Sequence, residues 1–288
     1  GQLEKQTGIG VGGIVDALHQ LARRLGAVGE PLLAEYRRAA VKHADETGWR
    51  NDGANGYAWL FATPDVSLFR FRSTRSASVG REVFGAQRLP GVLVVDRYAA
   101  YNAAMCSIQY CYAHLLRDLQ DIEKEFPDQA EVQAFVGGLA PLLASAMALR
   151  GMKLSKREFC KQAAILAGKI RGVIHRPARH PAVQSYQDLF RQKADRLYHW
   201  AKDPAVPAEN NFAERELRPL VVARKVSFGS QSRQGAATRE VLMSVLHTLR
   251  KRTADPVAVL RDCLDKMAVT PKANPYDLLF GKSRSRPP

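Results

Sequence analysis

Three acidic side chains stand where they could act together on a phosphate. Asp45 lies in an extended segment, HADETGWR, Asp96 ends the apolar run of VVDRYAAYN, and Glu214 opens a helix in NNFAERELRP. Hard cations such as Mg²⁺ or Mn²⁺ prefer oxygen ligands and use few protein carboxylates together with water and phosphate. Two such ions can activate an attacking oxygen and stabilise a leaving oxygen at phosphorus. The three acids therefore indicate a two-metal site for phosphoryl transfer.

Other acids near the first two positions leave alternatives open. Glu46 and Asp52 are as acidic as Asp45 and lie close to it in the chain. An aspartate at a strand end, such as Asp96, also often serves as a cap or turn residue. Position alone therefore makes these aspartates candidates.

The third acid has two competitors, Glu209 and Glu216, within eight residues of the chain. Glu209 lies in a Pro-rich loop, where a metal ligand would be poorly positioned. Glu216 is two residues beyond Glu214, about 200° around a helix. Glu214 also has a structural alternative, because Asn211 as the N-cap and Glu214 at N3 would form a capping box, with Arg218 spaced for an i,i+4 ion pair.

Histidines and tyrosines near these acids suggest further chemistry. His43 and His114 could be metal ligands, although a lone histidine is more often packed or hydrogen-bonded. Tyr98 and Tyr101 could suggest a nucleophile, but packing beside the site or contacting DNA fits their aromatic loop better. We expect no covalent intermediate on either tyrosine, because bound metals would already activate the nucleophile.

The four cysteines, at positions 106, 111, 160 and 263, have no CxxC spacing. Reduced thiols in an intracellular protein are the simplest interpretation, so a cytoplasmic location is expected. Cys106 and Cys111 are predicted to be core residues.

Composition and charge narrow the class of protein. The chain has 288 residues, of which 46% are hydrophobic and 25% charged, and these values exclude disordered, collagen-like and disulfide-scaffold proteins. The 43 Lys and Arg against 28 Asp and Glu give a net charge of +15. Such a surplus favours a polyanionic partner, most simply nucleic acid.

Periodicity predicts the elements that must position these residues. Helices are expected over 12–40 with a break near 26–31, over 77–86, 114–125, 235–252 and 256–268, from position 211, and throughout 128–200, and a disordered tail follows. Three antiparallel strands are expected within 41–73, and further strands at 92–95 and 108–112. The uncharged stretch 132–149 approaches the length of a membrane span, but its glycines, proline and polar residues favour a buried helical hairpin. The result is an α/β fold with a mixed sheet.

Four motifs in this order resemble transposases of the insertion sequence 66 family: HADETGWR, VVDRYAAYN, CYAHLLRDL and NNFAERELRPLVVARK. The resemblance implies a ribonuclease H-like core, a mixed sheet flanked by helices, with a helical insertion before the glutamate. It assigns a DDE triad to Asp45, Asp96 and Glu214, with two Mg²⁺ ions for which Mn²⁺ can substitute. It also implies that the chain is the C-terminal catalytic part of a longer protein.

These expectations give a domain plan and a set of partners. The plan is a helical lead-in (1–40), the first part of the catalytic core (41–126), a helical insertion (127–202), the second part of the core (203–252), and a C-terminal helix with a flexible tail (253–288). The segment 215–252 contains nine Lys or Arg and two acids, and this excess of positive charge favours contacts with DNA phosphates. The predicted DNA contacts are Arg218, Arg224, Lys225 and Arg233. We expect a homodimer or higher oligomer on DNA, with transposon ends and target DNA as partners, and accessory proteins of the element are conceivable.

Two other functions stay open at this stage. A ribonuclease H-like nuclease would hydrolyse DNA without transferring strands, and its first step would be the same. A non-catalytic basic DNA-binding remnant would need no triad. Joined strands among the labelled products of end DNA would distinguish a transposase from a nuclease. Metal-dependent nicking that is abolished by Asp45→Asn would exclude the non-catalytic remnant.

Overall fold

The computed structural model describes residue 8 and residues 10–281 of the chain. The helices are α1 (Val11–Leu25), α2 (Gly29–Arg38), α3 (Ala77–Phe84), α4 (Tyr112–Glu125), α5 (Ala130–Leu149), α6 (Lys156–Ile174), α7 (Pro181–Gln192), α8 (Asn211–Ser227), α9 (Arg233–Arg252), α10 (Pro256–Val269) and α11 (Pro275–Phe280). The strands are β1 (Val41–Gly48), β2 (Tyr57–Ala62), β3 (Ser67–Arg72), β4 (Val92–Val95) and β5 (Ser107–Tyr110). Short 3₁₀ turns lie at Gly26–Val28, Ala99–Ala103 and Ala194–Arg196. The predicted elements are present, but residues 275–280 of the predicted disordered tail form α11, which was not expected, and the tail beyond residue 281 lies outside the described residues.

The five strands form one mixed sheet in the order β3-β2-β1-β4-β5. Strand β4 pairs in parallel with both β1 and β5, whereas β2 and β3 are antiparallel. A strand buried on both faces must be apolar, and Leu93, Val94 and Val95 of β4 have no exposed surface. The mixed α/β prediction is therefore confirmed.

The chain divides into two compact units that alternate along the sequence. Among the described residues, unit 1 contains residue 8 and residues 10–39, 44–83 and 215–281, and unit 2 contains residues 40–43 and 84–214. Each unit is described separately below.

In unit 1, α9 covers the backbone edge of β3. Successive turns of the helix present oxygen acceptors to alternate N–H groups of the strand: Thr248 to Ser67 (3.1 Å), Ser244 to Phe69 (2.9 Å) and Glu240 to Phe71 (3.0 Å). Four residues of helix rise about 6 Å and two residues of strand about 6.6 Å, so the two repeats match. An edge that would otherwise attract another strand is thereby closed.

In unit 2, Gly91 allows β4 to start beside β1. Its φ is +72°, and a Cβ there would lie 2.0 Å from the carbonyl oxygen of Ala40. The next residue, Val92, donates its N–H to that same carbonyl at 2.9 Å. Glycine is therefore required where β4 begins.

Unit 2 also corrects the prediction for the uncharged stretch. Residues 130–149 form one continuous helix, α5, and not a hairpin, with Pro141 inside it. Its buried residues follow helical spacing on both sides of the proline: Val132, Phe135, Val136, Leu139, Leu143, Ala146 and Leu149. Packing against α4, α6 and α7 offsets the hydrogen bond that the proline removes. Among the described residues α5 is one helix long and apolar enough to cross a membrane by length and composition, and its buried residues pack within unit 2.

Candidate active site

Asp96 lies directly after β4, at the carboxyl end of a buried parallel strand. Its side chain is half-buried, and Oδ1 accepts the backbone N–H of Tyr98 at 2.9 Å. This hydrogen bond fixes the carboxylate at the strand end. Tyr101 packs edge-to-face on Tyr98 and is itself buried. The loop after β4 is therefore held by aromatic packing.

Glu214 lies in the first turn of α8, which begins at Asn211. Its backbone N–H bonds to the carbonyl of Asn210 at 3.3 Å, so Asn210 precedes the helix and Glu214 is its fourth residue. The N–H of Asn210 donates to Sγ of Cys111 at 3.1 Å. Asn211 is thus the first helical residue and not the N-cap, so the capping-box alternative for Glu214 does not apply.

The side chain of Asn210 ties the start of α8 to β1. Asn210 is buried, and its Oδ1 lies 2.8 Å from Nδ1 of His43. The imidazole of His43 also packs on Phe212, with ring centroids 4.8 Å apart. His43 is thus a packed, hydrogen-bonded core residue.

Cys111 and His114 adjoin Glu214; the sequence predicted Cys111 to be a core residue and left His114 open between a metal ligand and a packed residue. Cys111 immediately precedes α4 and His114 is one turn into it. One ligand atom from each of the three residues lies within 4.8 Å of the other two. The C-x-x-H spacing at the start of a helix that follows a strand was the signal available in the sequence.

Burial and nearby charges shift the pKa values of His114 and Cys111. Burial lowers the pKa of His114 and the charge of Arg117 adds to that effect, whereas Asp96 and Glu214 act in the opposite direction. Both acids are thus near enough to influence one imidazole. Burial raises the pKa of the Cys111 thiol to about 11.

Two arginines of unit 2 form ion pairs with nearby acids. Arg117 forms an ion pair with Glu214 at 3.4 Å, and Arg97 pairs with Asp118. The side chain of Arg117 is 57% exposed, so its guanidinium remains accessible. Both pairs are partly exposed, so solvent screens them and reduces their contribution to stability.

Asp45 lies in unit 1, in the second half of β1. It is half-buried, and its Oδ1 accepts the N–H of Glu46 at 2.9 Å. The carboxylate of Glu46 is 2% exposed and accepts from Nε of Arg75 at 2.8 Å. Asp52 is an exposed turn residue with φ +53°. Of the three acids, Glu46 is thus committed to an arginine.

Glu216 belongs to unit 1, where neighbouring side chains hold its carboxylate. Its carboxylate accepts from Ser67 Oγ at 2.8 Å and lies 3.2 Å from Nζ of Lys251. Burial favours the protonated acid, but hydrogen bonds and charges from His247, Lys251 and Ser67 outweigh it and lower the pKa of Glu216 to about 2. These contacts agree with the expectation, from their separation of about 200° around the helix, that Glu214 and Glu216 have different surroundings. Glu209 is half-buried in the loop before α8.

The four basic residues predicted to contact DNA differ in their surroundings. Nη1 of Arg224 donates to the carbonyl of Gly48 at 2.6 Å and to Oγ1 of Thr47 at 3.2 Å, so this arginine ties α8 to the end of β1. The remaining three are exposed: Arg218, Lys225 and Arg233. Arg224 therefore has a structural role that its sequence context did not indicate.

Comparison with known proteins agrees with these motifs. The family described as "Transposase IS66 family" matches residues 4–238. The uncharacterized protein y4qI of Sinorhizobium fredii is 27% identical over 86% of this chain and 53% of its own length. Another S. fredii protein, the uncharacterized y4jD, is 24% identical over 73% of this chain and 43% of its own length. The chain thus spans about half the length of these relatives. Since the family match covers most of the chain, this protein belongs to the IS66 family of transposases.

Proposed function

We propose that this chain is the catalytic domain of a DNA transposase that cleaves transposon ends and joins them to target DNA. Asp45, Asp96 and Glu214 are its proposed carboxylate triad. The observation that carries the proposal is the placement of two acids: Asp96 directly follows β4, with its carboxylate held by the N–H of Tyr98, and Glu214 lies in the first turn of α8. Family membership supports the reaction class, and the order of the mixed sheet is compatible with the proposed ribonuclease H-like fold.

Asp45 is included because of strand register. His43 and Val94 are partners in the parallel pairing of β1 with β4. Asp45 follows His43 by two residues, and Asp96 follows Val94 by two residues. Because side chains alternate with a period of two, equal offsets favour the same face of a sheet. That argument selects Asp45 and not Glu46, which is paired with Arg75.

The donor chemistry fits magnesium. Asp96 and Glu214 offer carboxylate oxygens that are half-buried and still reachable by solvent, which suits a hard cation that keeps water and phosphate ligands. Two Mg²⁺ ions, or Mn²⁺ in their place, would supply activation of the attacking oxygen and stabilisation of the leaving oxygen when bound by the triad.

The chain's own residues perform the positioning. The Tyr98 N–H holds the Asp96 carboxylate, and the bonds of Asn210 hold the turn that carries Glu214. The exposed guanidinium of Arg117 can bind a DNA phosphate beside Glu214, since arginine matches phosphate oxygens with paired donors. We propose Arg218, Lys225 and Arg233 as further phosphate contacts, which position DNA without reading its sequence.

Labelled duplexes carrying the element's ends test this function in the presence of Mg²⁺. We expect nicks that leave a 3′-hydroxyl, followed by joined strands. Asp45→Asn and Asp96→Asn should each reduce cleavage by about 10³-fold or more, whereas Asp128→Asn, an exposed site in unit 2, should not. Hydrolysis without joined products would support a nuclease. DNA binding without metal-dependent nicking would indicate a non-catalytic module and would contradict the proposal. Sedimentation on end DNA tests the expected dimer or higher oligomer.

A further inference from the structure

The cluster of Cys111, His114 and Glu214 mixes ligand types that magnesium does not favour. Thiolate sulfur and imidazole nitrogen suit softer cations such as Zn²⁺ and Co²⁺, which also accept a carboxylate. The ligand atoms of these three residues already lie within 4.8 Å of one another. We propose that Cys111, His114 and Glu214 form a site for one soft divalent cation, and that Zn²⁺ is the ion that best suits their chemistry.

The sulfur of Cys111 accepts a backbone hydrogen bond, because the N–H of Asn210 donates to Sγ at 3.1 Å. Hydrogen bonds of this kind stabilise and orient a metal-bound thiolate. The first turn of α4 adds its positive end beside the sulfur. The N–H of Asn210 and the start of α4 are thus placed to stabilise a thiolate once a cation is bound.

The imidazole of His114 supplies an independent indication. Its Nδ1 is buried and has no hydrogen-bond partner among the residues that the structure describes. Buried polar atoms are rarely left in this way, and each such atom calls for an explanation. A ligand bound within the cluster would engage this histidine.

The geometry requires only a small closure. Around a tetrahedral Zn²⁺, sulfur, nitrogen and oxygen ligands lie about 3.3–3.6 Å apart. Glu214 can supply the movement, because its pair with Arg117 is 3.4 Å long and partly solvated. Three protein ligands leave the fourth position to water or to a phosphate oxygen.

This site shares Glu214 with the proposed triad, and that has a functional consequence. A soft cation bound by Cys111 and His114 would withdraw Glu214 from the magnesium site. Zn²⁺ should therefore inhibit Mg²⁺-dependent cleavage. This consequence rests on the proposed function, whereas the binding site itself does not.

Cobalt titration of the reduced, metal-free chain tests the site without an activity assay. We expect one equivalent of Co²⁺ to give a sulfur-to-cobalt charge-transfer band and the visible bands of four-coordinate Co²⁺, both lost on addition of Zn²⁺. Cys111→Ser should abolish the charge-transfer band, whereas Cys106→Ser and Cys160→Ser should leave it unchanged, since these thiols lie outside the cluster.

Two further variants keep the test decisive if the buried Cys111→Ser protein is unstable. His114→Asn and Glu214→Gln change half-buried residues, and each should weaken Co²⁺ binding at least about tenfold. The exposed His175→Asn is the matched control. Absence of a four-coordinate cobalt spectrum, or a charge-transfer band that survives in folded Cys111→Ser, would overturn the proposal. Cleavage with Mg²⁺ alone is measured separately, so the metal site and the transposase function can fail independently.

Discussion

The backbone N–H of Asn210 donates a 3.1 Å hydrogen bond to the sulfur of Cys111, 99 residues earlier in the chain. Cys111 immediately precedes α4, and Asn210 immediately precedes α8. The bond therefore joins the first turns of the two helices that carry His114 and Glu214. The proposed metal ligands would have to be held to a fraction of an ångström, and fixing the helix starts serves that need.

Asn210→Ala should destabilise the protein by about 1–3 kcal/mol, because it leaves the buried Nδ1 of His43 without this acceptor. Urea unfolding measures the change. Asn55→Ala, at an exposed loop position, is the control and should lie within about 0.5 kcal/mol of the wild type. Equal stability of the two variants would show that the His43 bond contributes nothing.

Glu214→Gln should lose cleavage by about 10³-fold or more while its melting temperature stays near that of the wild type, because the change removes a charge but keeps the shape. Glu209→Gln is the control and should retain activity. A Glu214→Gln protein that cleaves and joins DNA at near wild-type rate, beside an inactive Glu209→Gln, would reassign the third acid.

Glu216 should give the opposite result, with a loss of stability as its direct effect. Its pKa of about 2 in the folded protein lies below the ordinary value of 4.5. The stabilisation from this carboxylate is therefore fully present above pH 4.5 and is lost as the pH falls from 4.5 toward 2.

At pH 7, Glu216→Gln should cost about 2 kcal/mol after allowance for solvent screening, and the difference from wild type should shrink in that acid window. Denaturant unfolding at several pH values measures it. A difference that does not change between pH 7 and pH 3 would contradict the assignment.

Gly91→Ala should destabilise the protein by more than about 1 kcal/mol, because the added methyl group meets the Ala40 carbonyl and the positive φ disfavours any L side chain. Gly137→Ala, within α5, has open space and an ordinary helical φ, so it should be neutral or stabilising. Thermal unfolding of the two variants provides the comparison.

DNA affinity should fall steeply with salt. If the basic residues neutralise about six phosphates, the slope of log K against log salt should be about −5. Replacing Arg218, Lys225 and Arg233 together with Ala should make the slope less negative by the amount that about three phosphate contacts contribute. Stability should not change, because all three side chains are exposed.

Arg224→Ala separates DNA binding from structure at the fourth basic position. It should lower stability as well, because it removes the donor to Gly48 and Thr47.

A slope near zero for the wild type would mean that the charge of +15 is solvated surface and not a binding face.

Local patterns in the sequence were sufficient for most of the element order, although not for α11 or the continuity of α5, and for placing Asp96 and Glu214 at element ends. The apolar run of β4 stops at Asp96 because a doubly buried strand tolerates no earlier charge, and the Pro-rich loop places Glu214 in the first turn of a helix. The four motifs were also sufficient to identify the family, because they are short, specific and in order.

Tertiary structure alone decided the rest. The continuity of α5 through Pro141 depends on the partners of its buried face, which local composition does not reveal. The bond from Asn210 to Cys111, and the approach of Cys111 and His114 to Glu214, join residues about a hundred positions apart. Such contacts leave no periodicity in the sequence, because they are fixed by how the helices pack and not by the residues beside them in the chain.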